Sequence, residues 1–190
     1  MNKRGRFIVI EGIDRSGKTT QSRILSTKDG FQYVRFPNRD TPTGKLIDDY
    51  LKGSVEMSPQ VNHLLFSANR WESINEIESL LDSGINVVCD RYIYSGIAYS
   101  VAKGLDCSWC ESSDMGLLQP DVVFYLDLPI EEASKRGEYG EEIFENEVFQ
   151  RKVQEAYTKY VITSDWIILD ATQNVEGISK IIENKLIIKK

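Results

Sequence analysis

Short apolar, β-branched runs alternate along the chain with longer stretches in which apolar positions recur at helical spacing. That alternation predicts a parallel sheet with helices on both faces, because a strand covered on both sides reads as a continuous apolar run. The predicted strands are Arg6–Glu11, Gln32–Phe36, Asn86–Cys89, Val122–Asp127 and Trp166–Leu169, and all five read as buried. Helices are expected over Lys18–Thr27 and Thr43–Lys52, ended by Gly30 and Gly53. A longer one is capped by Ser58, begins at Pro59 and runs to about Asp82 before Gly84 stops it. Others are expected over Tyr92–Val101, Glu111–Leu118, Ile130–Arg136, Glu147–Tyr160 and Val175–Ile188. The polar stretch 136–146 follows neither period and contains two glycines, so it is expected to be either a short lid or a plain surface connection.

Composition bounds the picture without changing it. The chain has 190 residues, 41% of them hydrophobic and 27% charged, with no repeat or linker, and reads as one globular domain over 1–190. A net charge of −6 argues against broad electrostatic binding to nucleic acid or anionic lipid, so an anionic ligand needs a local basic pocket. No apolar run approaches the roughly 20 residues that cross a bilayer, and no apolar leader is evident. Three cysteines, Cys89, Cys107 and Cys110, are too few for a disulfide framework and point to a reducing compartment. The expected setting is cytoplasmic, with the nucleus left open.

Candidate chemistry begins after the first strand. Gly12-Ile-Asp-Arg-Ser-Gly17-Lys18-Thr19 joins an apolar strand to a helix, the context in which a glycine-rich loop cradles phosphates. Backbone N–H groups of Gly12 to Thr20, Ser16 among them, can turn around phosphate oxygens beside a positive helix end. Lys18 would reach the outer phosphates and Thr19 would ligate Mg²⁺. Arg15 adds a cation beside the transferred group and Asp14 a carboxylate at the rim, although either could simply brace the loop.

A second set of residues suits an acceptor. Arg39 follows Phe36 and Pro37 at the carboxyl edge of the second strand, where ligands of open α/β sheets bind. Phe66 and Arg70 are four apart on one helix face, an aromatic plane and a guanidinium that fit a base and its phosphate. Taken alone, that pair could equally be a core ring and a solvated charge. Asp90-Arg91-Tyr92 follows the third strand, where a carboxylate can hold Mg²⁺ through water and Arg91 can grip a phosphate. With Arg136, these cations suit two phosphorylated ligands facing each other.

The combined motifs resemble the thymidylate kinase family across nearly the whole chain. They are Ile10-Glu-Gly-Ile-Asp-Arg-Ser-Gly-Lys-Thr-Thr-Gln21, Arg35-Phe-Pro-Asn-Arg39, His63-Leu-Leu-Phe-Ser-Ala-Asn-Arg-Trp71, Asp90-Arg-Tyr-Ile-Tyr-Ser-Gly96 and Lys135-Arg-Gly137 through Glu145-Asn146. The resemblance implies a P-loop NTPase-type three-layer α/β sandwich, a five-stranded parallel sheet flanked by helices, and a lid at about 136–146. It also implies transfer of a phosphoryl group from ATP to dTMP with Mg²⁺, and a homodimer. An arginine inside the loop, Arg15, resembles the eukaryotic and poxviral branch. By resemblance Phe66 stacks on thymine, Arg70 hydrogen-bonds the base, and Arg39 and Arg91 bind the dTMP phosphate, with Phe36 beside them. Asp14 meets the 3′-hydroxyl, Tyr99 blocks a ribose 2′-hydroxyl, Gln150 approaches the nucleoside, Arg136 lies against adenine and Asp90 positions Mg²⁺.

This chain departs from the family pattern in places. Ile143 and Phe144 stand where close eukaryotic relatives have arginine and tyrosine, and the first helix is shorter than usual. Cys107-Ser-Trp-Cys110 invites a redox or metal reading, but there is no second pair, and the sole histidine, His63, sits on the Phe66 helix. Rival functions remain at this level. The nearest is another P-loop kinase, either one acting on a different nucleoside monophosphate or a deoxynucleoside kinase that would phosphorylate a 5′-hydroxyl instead; a GTP-dependent switch would need an Asn-Lys-x-Asp guanine reader, which the late strands lack.

Overall fold

A computed structural model describes residues 4–136, 143–144 and 146–188. Among these, five strands form one parallel sheet in the order β2-β3-β1-β4-β5. The strands are β1 Phe7–Glu11, β2 Phe31–Arg35, β3 Asn86–Asp90, β4 Val122–Asp127 and β5 Ile167–Asp170. Helix α1 (Lys18–Ser26) follows β1, and α2 (Pro42–Leu51) and α3 (Pro59–Asp82) lie between β2 and β3. Next come α4 (Ile93–Ala102) and α5 (Cys107–Ser113) before β4, then α6 (Ile130–Ala133) and α7 (Glu147–Ala156) before β5, and finally α8 (Val175–Ile188).

β1 is central, paired with β3 in the register Val9 to Cys89 and with β4 in the register Val9 to Val123. Its side chains alternate between two cores, as period-two geometry requires. Phe7 and Val9 pack with Val87, Cys89 and, from α3, Ile74, Ile77 and Leu81. Ile8 and Ile10 face Leu25 of α1, Phe124 of β4, and Ile178 and Ile182 of α8. The chain leaves β1 toward β3 and later returns to build β4, so a crevice opens at the carboxyl end of β1.

Four expectations need correction. β2 and β5 are not buried like the other strands, because each has a neighbour on one side alone and several of its side chains are half-exposed or exposed. An apolar run does not distinguish a central strand from an edge strand. Helix α5 lies four residues earlier than expected at its start, because the Asp106 carboxylate accepts from the Trp109 backbone N–H at 2.9 Å and caps it there. Helix α6 stops at Ala133 rather than at Arg136. Past Ala156, α7 continues as a π-helical turn, Tyr157–Val161, which brings the Tyr157 hydroxyl to the Glu11 carboxylate at 2.8 Å. Most of the expected lid, residues 137–142 and 145, lies outside the described residues. No helix among the described residues is long and apolar enough to cross a membrane.

Candidate active site

A cavity of about 600 Å³ opens beyond the carboxyl ends of β1 and β3. It brings together Asp14, Arg15, Gly17, Lys18, Thr19, Thr20, Phe36, Arg39, Phe66, Arg70, Asp90, Arg91, Tyr99 and Arg136 from the sequence-derived set. Gly12, Ser16 and Gln150 are not among its lining residues.

At one end the chain makes the glycine-rich turn. Gly12 adopts φ 149°, and a Cβ there would lie 2.6 Å from Ser16 Oγ and 2.8 Å from the Leu126 carbonyl oxygen, so a side chain does not fit. Arg15 occupies the left-handed region at φ 62°, a conformation that costs a non-glycine residue about 1–3 kcal/mol. Arg136 Nη1 donates to the Arg15 carbonyl at 2.7 Å and Nη2 to the Ala171 carbonyl at 2.9 Å, tying the loop to the turn that follows β5. Lys18 Nζ donates to the Ile13 carbonyl at 2.6 Å across the loop. Burial, helped by the Arg91 charge, lowers the Lys18 pKa to about 7.

Two acceptor groups meet beside this loop. Thr19 Oγ1 donates to Asp90 Oδ2 at 2.5 Å, and the Tyr33 hydroxyl reaches the same oxygen at 3.2 Å. Arg91 follows Asp90 with φ 67°, a second strained residue, and pairs with Asp14. Its guanidinium also donates to the Gly12 carbonyl at 3.2 Å and Ser95 Oγ at 3.0 Å. Fully buried Glu11 fixes the turn that aims it. The Glu11 carboxylate accepts from the backbone N–H groups of Tyr92 and Ser95 at 2.9 and 3.1 Å, capping α4 from a different element. Burial raises its pKa despite those bonds.

The other end lies between α3 and α4. Phe66 and Arg70 share the α3 face that lines the cavity, and Asn62 one turn earlier joins them. Arg70 is 1% exposed and held by Asp114, which accepts from Nε at 3.1 Å and Nη2 at 2.6 Å. The guanidinium lies over Gly96, where a Cβ would come within 2.9 Å of Nη1. Arg39 donates to Asp48 at 2.7 Å, and its segment is anchored by Asn69, which bonds the Asn38 backbone at 2.8 and 3.0 Å. Phe144 packs over this end, stacked on Phe149 at 5.1 Å with the Lys103 ammonium 4.5 Å from its ring.

The Gln150 amide nitrogen donates to Asp14 Oδ2 at 2.7 Å, its oxygen accepts from the Asp14 N–H at 3.0 Å, and the residue is nearly fully buried. It therefore braces Asp14 and also reaches the Tyr99 hydroxyl at 3.3 Å, two residues that line the cavity. Sequence reasoning missed Glu11, Asn62, Lys103 and Asp114. Asn62 was recoverable from its four-residue spacing to Phe66, whereas Asp114 contacts Arg70 across 44 positions with no pattern in common.

A loop of this geometry facing an aromatic and arginine pocket describes a two-nucleotide site, and comparison with known proteins decides which. The thymidylate kinase family model matches residues 10–182. The chain belongs to the thymidylate kinase family. It is 50% identical over 182 residues to the thymidylate kinase of Plasmodium falciparum, covering 93% of this chain and 87% of that protein. It is 39% identical over 184 residues to the human thymidylate kinase, with 93% and 87% covered. The solved structure of the Candida albicans thymidylate kinase superposes with a TM-score of 0.88 at 42% identity, over 96% of this chain and 92% of that one. This thymidylate kinase relative thus keeps the family's fold and is a phosphotransferase. Cys107 and Cys110 are both free, and burial pushes the Cys110 thiol up to about 11, away from the thiolate form.

Proposed function

We propose that the cavity divides between the two substrates of ATP-dependent dTMP phosphorylation, with their phosphates meeting above Arg15. The observation that carries this reading is that Arg15 and Lys18 of the loop, Arg91 after β3, and Phe66 and Arg70 of α3 all line one cavity. ATP occupies the glycine-rich turn, with Arg136 at its outer side, and dTMP lies between α3 and α4. Arg91 and Arg39 hold the dTMP phosphate, Phe66 stacks on thymine, Arg70 contacts the base and Tyr99 stands against the sugar.

Phosphoryl transfer asks little covalent chemistry of a protein. It needs the acceptor oxygen in line with the γ-phosphorus and compensation for charge on the equatorial oxygens. The acceptor phosphate is already ionised, so no general base is required. Arg15 and Lys18 stabilise the migrating group, and their fixed backbone geometry supplies that field without reorganisation. Thr19 and Asp90 suit Mg²⁺. Their oxygens lie 2.5 Å apart beside the loop, a hard-donor set of the kind that completes its shell with water and substrate phosphates. When bound there, the ion neutralises charge shared by the β- and γ-phosphates.

The chain works as one domain in a soluble, cytoplasmic protein, and as a homodimer. Exposed Val61, Leu64 and Trp71 run along one face of α3 beside exposed Trp109 and Met115, an apolar surface that a second copy would cover. Light scattering at micromolar concentration checks this, with a dimer mass expected. The enzymatic reading is tested by a coupled assay over dTMP, dUMP, dCMP, dGMP, AMP and thymidine. Fastest turnover of dTMP and none of thymidine is expected. Phosphorylation of thymidine in place of dTMP would favour the nucleoside kinase alternative.

A further inference from the structure

The wall of the base end presents polar groups whose hydrogen-bonding sense is set from behind. Arg70 can only donate, and its Nη1 lies over Gly96. One turn further along α4, Ser100 lines the same cavity, and His63 Nδ1 stands 2.8 Å from its hydroxyl oxygen. His63 Nε2 faces two acceptors. One is the Cys110 carbonyl at 2.9 Å; the other is Ser113 Oγ at 3.0 Å, whose own hydrogen goes to that carbonyl at 3.2 Å. The Cys110 carbonyl at 2.9 Å can only accept, which places the ring hydrogen on Nε2; the Gly96 carbonyl, which also acts on the ring, then goes without it, and Nδ1 accepts the Ser100 hydroxyl hydrogen. Burial favours the neutral ring by lowering its pKa. With its hydrogen committed, Ser100 Oγ offers the cavity only lone pairs.

Asn62 completes the row. Its Oδ1 accepts from the Lys103 ammonium, which can only donate, so the amide nitrogen is turned away from Lys103. That nitrogen is buried and has no hydrogen-bond partner among the described residues, in a side chain that lines the cavity. Helices α3 and α4 run past each other in opposite senses here: Arg70 over Gly96, His63 on Ser100, Asn62 on Lys103. Along the wall the groups read donor, acceptor, donor.

We infer that His63, acting through Ser100, sets this site to demand a hydrogen on the ring nitrogen between two carbonyls. It thereby selects the 2,4-dione edge of thymine or uracil and rejects the amino edge of cytosine. The dione edge offers carbonyl, N–H, carbonyl, complementary to Arg70, Ser100 and Asn62. Cytosine places an amino group against Arg70 and a lone pair against Ser100. A buried site built for one hydrogen-bond pattern rejects the opposite one because its own groups go unpaired. His63 is a positioning residue, and the inference rests on the reading of this end as the base site.

His63 is the sole histidine of the chain, so its ring nitrogens give one unambiguous pair of ¹⁵N resonances. At pH 7 the Nε2-protonated tautomer is expected, and an Nδ1-protonated ring would overturn the inference. Calorimetric binding of dTMP and dCMP then reads the consequence. Ser100→Ala and His63→Leu are each expected to lower the preference for dTMP over dCMP by about tenfold, the worth of one hydrogen bond. His63→Gln, whose amide can donate to the Cys110 carbonyl and accept from Ser100, should keep the wild-type preference. If His63→Leu does not fold, Ser100→Ala and the tautomer decide. A preference that Ser100→Ala leaves within twofold of wild type overturns the inference. Failure of the wild type to bind dTMP, or binding unaffected by Phe66→Ala, overturns the base-site reading beneath it.

Discussion

The two ends of the cavity are built by different means. The phosphate end comes almost entirely from the consecutive residues Glu11 to Thr19, and much of what it offers a ligand is backbone, held in shape by Gly12 and the strained Arg15. The base end is assembled from α3, α4, α5 and the segment after it, through side chains buried against partners up to 50 positions away. A backbone cradle tolerates side-chain change except where charge does the chemistry. A pocket of interlocked side chains fails when any partner is removed.

That contrast is sharpest at Arg15. Arg15→Ala should lower the single-turnover rate by about 10³-fold or more while the KM for dTMP changes little, as expected for a cation that stabilises charge in the transition state. A rate within threefold of wild type would remove Arg15 from the mechanism. At the base end the larger cost is to folding. Asp114→Ala strands Arg70, a buried charge, and should destabilise the protein by about 3–5 kcal/mol in urea denaturation. Asp14→Ala should cost clearly less, because both members of the Asp14–Arg91 pair are partly open to solvent. Equal losses would mean that the two ends are not built differently.

Phe66→Ala should weaken dTMP binding by about 1–3 kcal/mol, the usual worth of stacking a base on an aromatic ring. ATP affinity should stay the same, and calorimetry on each nucleotide separates the two. Equal losses for both would make Phe66 a packing residue. The smallest effect is a pH dependence. Each end holds a lysine, Lys18 buried and Lys103 half-buried, and removal from water lowers the Lys103 pKa from 10.5 to about 8. Between those values the unfolded chain binds more protons than the folded one, so stability rises with pH from about 8 toward 10.5. The penalty is fully present below about 8. Lys103→Met should therefore show a smaller gain between pH 7 and 9.5 than wild type in urea melts, and an identical gain would contradict the assignment.

Legibility in the sequence follows the same division. The cradle was readable because strand, glycines, lysine and helix are consecutive and their spacing is dictated by one turn. The buried run of β1 and the start of α3 at Pro59 were readable for the same local reason. Phe66 and Arg70 were readable as a helical pair, but not the fact that Arg70 needs Asp114, because nothing local links them. The bonds of Gln150 to Asp14, across 136 positions, were not readable either, because no local pattern links the two. Glu11 was passed over as the polar end of a strand, although it caps α4 and aims Arg91. The edge exposure of β2 and β5 depends on strand order, which no single run of residues encodes.

The account is tested most directly by a crystal structure with a dinucleotide that joins adenosine to thymidine through a polyphosphate. The ring of thymine should lie flat against Phe66 between α3 and α4, with the phosphates running past Arg91 and Arg15 into the glycine-rich turn. Thymine bound away from Phe66, or phosphates that bypass Arg15, would contradict it.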